Sequence, residues 1–203
     1  MKNFGYIKSA FDVSDKIANP VVQSVLPKKY DLSKELPGIR DQGNIPKCVS
    51  CSVTDMLFWR LHSENRVLTS KDDFIFNKRE DKNMEGMTPK EAFEIAKKIG
   101  VSASGGNFNL KLFARVGSAD IAKKSIFVYG PVLVALPCYD EKSNEFWVKS
   151  GKLNGGHAVT LVGWDIKGFI LRNSWGRSYG NGGYFPLPFE SFNQCLESWV
   201  LIS

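Results

Sequence analysis

Cys48 lies in Asp41-Gln42-Gly43-Asn44-Ile45-Pro46-Lys47-Cys48-Val49-Ser50-Cys51, where turn residues give way to an apolar helical pattern. Gly43, Asn44 and Pro46 break any periodicity, whereas Val49, Cys51, Val53, Leu57, Phe58 and Leu61 predict a mostly buried helix that begins at Cys48. A thiol at a helix N-terminus faces unpaired N–H groups and the positive end of the macrodipole, and both favour the thiolate. Cys51, one turn further in, is expected to be buried and inert. A nucleophile of this kind needs a base, and the sequence holds two histidines, His62 and His157. His157 is the better placed, because it follows Gly155-Gly156 at the mouth of an apolar strand where glycine admits other backbone closely. His62 falls at the polar end of the first helix. The next strand, Gly168 to Arg172, delivers Asn173-Ser174-Trp175-Gly176, so an amide can reach the imidazole from a neighbouring strand. In chain order, Cys48, His157 and Asn173 supply a nucleophile, a base and an orienting group.

The sequence here resembles the papain-like cysteine peptidases, the family that includes the cathepsins. Three motifs carry the likeness: Gln42-Gly43 followed by Cys48; Gly156-His157-Ala158 with Val162-Gly163; and Asn173-Ser174-Trp175-Gly176 with Gly182-Gly183-Tyr184. The likeness runs from about Leu36 to Trp199, and its style is that of short bacterial or viral members. It implies an α+β, two-lobed fold with a cleft between a helical lobe and a β-rich, barrel-like lobe. It also implies Gln42 as an oxyanion donor, Cys48 as nucleophile, His157 as base, Asn173 as the side chain that orients the imidazole, and Trp175 as a roof over the last two. Substrate contacts are implied at Gly86, Ala135, Gly156, Ala158 and Trp175. The implied activity is hydrolysis of peptide bonds through a thioester acyl-enzyme, with no cofactor and no metal.

Several departures from the family pattern bear on the cleft. Val49 replaces the tryptophan that usually follows the nucleophile, Ile45 a disulfide cysteine, and Pro46-Lys47 a Gly-Ser pair. Tyr179 stands where a second tryptophan is common, and Gly156 where papain has an aspartate. None removes a member of the triad. A second register is open, because Cys48-Val49-Ser50-Cys51 also matches the family's Cys-Gly-Ser-Cys, whose second cysteine is the nucleophile. That register would choose Cys51 and needs three extra residues after Gln42, whereas the gapless alignment reaches Cys48.

Each element has a plainer reading when taken alone. A lone cysteine opening an apolar helix is usually a small core hydrophobe, and Asn-Ser-Trp-Gly by itself would pass for a turn. Their joint occurrence in order reverses that weighing. A redox dithiol at Cys48 and Cys51 would leave the His157 and Asn173 motifs unexplained. A non-peptidase acyl transferase or amidase could use the same triad, and a catalytically silent binding protein is the remaining alternative.

The sequence has 203 residues, 43% of them hydrophobic and 24% charged, enough for one globular unit or for two lobes sharing a cleft. Four cysteines at these spacings fit neither a disulfide framework nor a zinc site. The net charge of +6 comes from scattered Lys and Arg, with only doublets such as Lys97-Lys98, so no nucleic-acid footprint is expected. No apolar run is long enough to span a membrane, and the first residues lack the apolar core of a secretory signal. The expected partner is therefore a peptide or protein substrate, met by a monomer made in the cytosol, with no nucleic acid and no membrane.

Along the chain, residues 1–40 are expected to form an N-terminal arm and lead-in segment, 41–108 a mainly helical lobe, and 109–203 a β-rich lobe. Ser70 and Asp73 predict a helix start before Phe74. Thr88-Pro89-Lys90-Glu91 is a capping box for a helix with Ala92, Phe93, Ile95, Ala96 and Ile99 on its apolar face, ended by Gly100. Strands are expected over Lys111–Val116, Val132–Leu136, Glu145–Val148, Ala158–Trp164, Phe169–Leu171, Tyr184–Leu187 and Trp199–Ile202, and a helix capped by Ser118. The arm before Tyr30 is too short for a globular prodomain. Its ten larger apolar residues, from Phe4 to Leu26, predict that it packs on a lobe and stays clear of the cleft.

Overall fold

The computed structural model describes residues 4–71, 73–139 and 145–202. Two packed bodies share one long helix. That helix, α1 (Cys48–Ser63), is buried without a break from Cys48 to Leu57, with Val49, Cys51, Val53, Met56 and Leu57 joined by Leu61 in the core, so it belongs inside the molecule. Around it pack α2 (Phe74–Asn77), α3 (Pro89–Lys98) and a small hairpin of β2 (Val101–Ala103) and β3 (Gly106–Phe108). The Thr88 half of the capping box forms as expected: Thr88 Oγ1 accepts from the Glu91 N–H at 3.0 Å, Pro89 is the first helical residue, and Gly100 (φ +80°) follows the last turn, while the Glu91 carboxylate accepts from the Glu80 N–H at 2.8 Å. Ser70 departs from expectation. Its hydroxyl accepts from the Ser102 N–H at 2.8 Å and so ties the loop to β2 instead of capping α2.

The second body is an antiparallel sheet of seven strands among the described residues, with a path β4-β9-β5-β6-β7-β8 and β1 added on β6. The strands are β1 (Tyr30–Asp31), β4 (Phe113–Arg115), β5 (Val132–Tyr139), β6 (Leu153–Asp165), β7 (Gly168–Arg172), β8 (Tyr184–Leu187) and β9 (Glu197–Leu201). Helix α4 (Ala119–Tyr129) is capped by Ser118, whose hydroxyl accepts from the Ile121 N–H, and packs on the sheet. This is the expected α+β, two-lobed arrangement. One expected strand is absent, since Glu145–Val148 forms a turn in which the Phe146 carbonyl accepts from Tyr139 N–H. Its adjacent aromatic residues, Phe146 and Trp147, are buried by ring contacts with each other and with Phe185, not by strand pairing.

A buried charge cluster fixes the two bodies together. Arg172, 1% exposed at the end of β7, donates through Nε to Asp55 Oδ2 on α1 at 2.7 Å, and through Nη2 to the carbonyls of Pro37 and Gly38 at 3.0 Å each. Arg40 Nε donates to Asp55 Oδ1 at 2.8 Å. Removing Arg172 leaves the buried Asp55 with Arg40 alone and takes the donor from the Pro37 and Gly38 carbonyls, so Arg172→Leu should lower unfolding free energy by about 3 kcal/mol. Denaturant titration measures this, and a loss under about 1 kcal/mol would contradict a clamping role.

Candidate active site

Two adjacent strands of the second body, β6 and β7, carry the histidine and the amide. Asn173 follows β7 directly, and its Oδ1 lies 2.7 Å from His157 Nε2 on β6. The same oxygen accepts from the Ser174 N–H at 2.7 Å, which fixes the amide as an acceptor toward the ring. Trp175 stacks on His157 with ring centroids 4.4 Å apart and planes 21° apart, so the contact is roofed as the resemblance implied. Phe146 meets His157 edge-on at 5.4 Å, and Tyr179 meets Trp175 edge-on at 4.8 Å. His157, Asn173 and Trp175 are all at most 2% exposed. His62 is exposed at the far end of α1, stacked on Phe58, and takes no part.

Cys48 opens α1, with the backbone N–H groups of Ala158, Gly5 and Val49 directed at its sulfur. Ala158 is the neighbour of His157 on β6, so this contact brings the first turn of α1 to the imidazole strand. Cys51 is buried in the helix one turn on, its N–H bonded to the Lys47 carbonyl. The Gln42 side chain is oriented by Ser174, whose hydroxyl donates to Oε1 at 2.7 Å, while Nε2 donates to the Ile45 carbonyl at 3.1 Å. The amide N–H end therefore belongs to the loop that leads into Cys48.

The arm occupies this cleft, and here the expectation that it would stay clear is corrected. Gly5 O accepts from the Met87 N–H at 3.0 Å and Ile7 N–H donates to the Met87 carbonyl at 3.1 Å, so Tyr6 pairs in parallel with Met87. Phe4 reaches the rings of His157 and Trp175 at 6.4 and 6.2 Å. Gly5 passes directly over the cysteine in a space that admits no side chain: a Cβ there would sit 1.9 Å from the Pro46 carbonyl oxygen. Gly86 (φ +131°) is likewise needed bare, since its Cβ would lie 2.3 Å from Gly5 O. Gly5 turns its N–H to the sulfur and gives its carbonyl to Met87, so no peptide carbonyl carbon of that residue is offered for attack. The arm also leaves half of its larger apolar residues in water, with Phe11, Val13, Ile17, Val21 and Val25 each at least 66% exposed. Polar ties hold it instead. Lys90 Nζ pairs with Asp12 at 2.7 Å and Asp15 at 2.6 Å, Arg115 Nε pairs with Asp15 at 2.8 Å, and Ile17 bridges to Arg115 at the sheet edge.

Burial changes the chemistry of the thiol. With the arm in place Cys48 is 0% exposed, and loss of water raises its pKa despite the N–H groups at the sulfur. The expected helix effect is present and is overridden, because the arm removes the solvent that the thiolate needs. Cys195 is pushed up to about 12, again by burial. Both thiols stay protonated in the folded chain where unfolded thiols have ionised, so the folded state binds more protons and stability falls as pH rises above about 8.5. The urea midpoint should drop between about pH 8 and pH 10, and Cys195→Ala should flatten that drop. A midpoint that stays level across this interval in the unsubstituted chain contradicts the assignment.

Of the implied substrate contacts, Gly86 and Gly156 line the arm's path. Ala158 faces the cysteine, Trp175 roofs the histidine, and Ala135 is fully buried in β5 between its partners Ala158 and Glu197. Sequence reasoning missed Phe4, Gly5, Tyr6, Phe146 and Glu197. The adjacent aromatics Phe146-Trp147 within a polar run were the one local signal.

Comparison with known proteins agrees with this geometry. Residues 107–198 match the Peptidase_C1 family, described as papain family cysteine protease. The whole chain superposes on xylellain, a cysteine protease from Xylella fastidiosa, with a TM-score of 0.80 at 23% identity, covering 100% of this chain and 96% of that one. The fold is papain-like. A procathepsin B of Trypanosoma congolense shares this papain-like fold with a TM-score of 0.76 at 13% identity, over 97% of this chain and 85% of that one. In sequence, cathepsin B-like cysteine proteinase 3 of Caenorhabditis elegans is 37% identical over 78 residues, 34% of this chain and 21% of that protein. The stretches matched in this and two further nematode cysteine proteinases span between about a fifth and a third of those proteins. An uncharacterized peptidase C1-like protein of Acanthamoeba polyphaga mimivirus is 22% identical over 98% of this chain and 86% of its own length. Cys48 lies outside the family match, so its assignment rests on the geometry of α1 and β6.

Proposed function

We propose that this chain is a cysteine peptidase in which Cys48, His157 and Asn173 cleave peptide bonds, and that the arm holds it in a closed state. The observation that carries the reading is the His157–Asn173 contact at 2.7 Å beneath Trp175, on the strand whose next N–H points at the Cys48 sulfur. Asn173 takes Nε2 of the ring, so Nδ1 is the nitrogen that exchanges a proton with Cys48. When a substrate replaces the arm, His157 takes the thiol proton and the sulfur attacks the peptide carbonyl carbon. The carbonyl oxygen becomes an oxyanion held by Gln42 Nε2 and the Cys48 N–H, each donor worth about 3 kcal/mol. His157 then gives its proton to the leaving amine as the C–N bond breaks, leaving a thioester. Water, deprotonated by the same ring, hydrolyses it and restores the thiol.

A labelled peptide mixture supplemented with amine acceptors tests this reading. Free carboxylate products identify a peptidase, and predominant amide products would identify an acyl transferase instead. Asn173→Ala should lower kcat by about tenfold to a hundredfold, less than loss of the base, because the amide orients the ring without carrying the proton. An Asn173→Ala variant as inactive as one lacking His157 would contradict that division of roles.

A further inference from the structure

The Met87 backbone is a part of the cleft wall that grips an extended chain. Its N–H donates to Gly5 O at 3.0 Å and its carbonyl accepts from the Ile7 N–H at 3.1 Å, so both of its backbone groups are spent on the arm and are released when the arm leaves. Gly86 and Met87 end a loop that starts at Arg79, runs from α2 to α3 and contains no helix or strand. Residues 80–85 are all exposed, whereas Gly86 and Met87 are buried. No cysteine lies between Phe76 and Met87, and all four cysteines are free, so no cross-link holds this loop. Packing behind it is also sparse. A surface cavity of about 510 Å³ separates it from α3, lined by Lys78, Glu80, Met84, Glu91, Ile95 and Ile99, and the Glu80 N–H reaches across to Glu91 Oε1 at 2.8 Å.

Arg79 supplies the anchor. Its guanidinium carbon lies 3.7 Å from the centre of the Phe76 ring, Nη1 donates to the Phe76 carbonyl at 2.8 Å, and Nη2 donates to the Lys82 carbonyl at 3.0 Å. Lys82 Nζ donates in turn to the Asn77 carbonyl. Arg79 Nε is buried and has no partner among the described residues, so the hold consists of the two carbonyls and the ring. Phe76 is itself fixed, being 7% exposed in the core around α1 and donating its N–H to Ser50 Oγ at 3.2 Å. Ser50 lies on α1 two residues after Cys48. Through Ser50, Phe76 and Arg79, the helix that carries the sulfur is thus tied to the loop that ends at Met87.

We infer that Arg79 is a positioning residue of the cleft, holding the Met87 backbone where it can pair with an extended peptide lying over Cys48. The inference rests on the peptide-cleaving reading of the cleft, but its first test needs no catalysis. In the full chain, Arg79→Met frees the loop and should speed iodoacetamide labelling of Cys48 about fivefold, the weight of one hydrogen bond between Met87 and the arm. Labelling that is unchanged or slower in this variant overturns the inference.

The second test follows the substrate in the Gly5→Val background, whose arm cannot lie in the cleft. Met87 pairs with backbone to the side of the bond under attack and holds ground state and transition state alike. Arg79→Met should therefore raise KM about fivefold or more and leave kcat within about twofold. Arg79→Lys keeps a cation over the Phe76 ring but reaches one carbonyl at a time, so its KM should fall between those of Arg79→Met and the unsubstituted residue. An unchanged KM, a kcat that falls as far as kcat/KM, or a lysine variant as impaired as the methionine one overturns the inference. Should Arg79→Met not fold, Arg79→Lys decides the question by the same split of KM from kcat. A chain that cleaves no peptide overturns the peptidase reading, while the labelling rates still decide whether Arg79 holds the edge that grips the arm.

Discussion

Gly5→Val should turn a closed chain into an open one. Any Cβ at this position would lie 1.9 Å from the Pro46 carbonyl oxygen and 2.2 Å from its carbon, both backbone atoms of the loop that sets Cys48. That loop cannot yield, because Gln42 N–H is bonded to the Ser174 carbonyl and Ile45 N–H to the Gln42 carbonyl. The arm must give way instead. Its ties beyond Ser9, chiefly Asp12 and Asp15 on Lys90 and Arg115, lie outside the cleft and should keep the rest of it in place. Cys48 labelling by iodoacetamide should rise about tenfold or more, as for a closed state weakened by about 1.4 kcal/mol, and peptide hydrolysis should rise with it. The thermal midpoint should change little. Equal labelling rates in the two proteins would mean that the arm does not control access to the sulfur.

The larger loss is expected at His157. His157→Ala in the open Gly5→Val background should lower kcat by about a thousandfold or more, because it removes the group that takes the thiol proton and returns it to the leaving amine. His62→Ala should stay within about threefold, since that ring is exposed at the other end of α1 and stacks only on Phe58. Parallel measurement of kcat and of folded fraction separates chemistry from stability. Similar losses in both variants would remove the basis for choosing one histidine over the other.

Local signals in the sequence were sufficient wherever local physics decides the outcome. Thr88-Pro89-Lys90-Glu91 specifies the start of α3 because the Thr88 cap and the proline act within one turn. The apolar residues after Cys48 fix α1, and the chain order of Cys48, His157 and Asn173 survives folding as a spatial cluster. Glu145–Val148 misled because a short run of aromatic and β-branched residues forms a strand only when a partner strand is present, and Phe146 is buried by rings instead. The hairpin of β2 and β3 escaped notice although Ser104-Gly105 stands at its turn, since strands of three residues carry too little periodicity to register. The course of the arm was not legible for a different reason. It is held by contacts such as Ser9 with Glu197, 188 residues apart, and Arg115 with Asp15, 100 residues apart. Gly156 illustrates the same point: its departure from papain has no visible reason in the sequence until Tyr6 is seen lying against it.

The claim that Cys48 is the nucleophile of a cleft closed by the chain's own arm is tested most directly by mapping the adduct of an epoxide inhibitor of cysteine peptidases on Gly5→Val and on the unsubstituted chain. The account predicts a single adduct on Cys48, formed faster in Gly5→Val, with hydrolysis lost in proportion to the adduct. An adduct placed first on Cys51, Cys138 or Cys195, or hydrolysis that persists after Cys48 is fully modified, would contradict it.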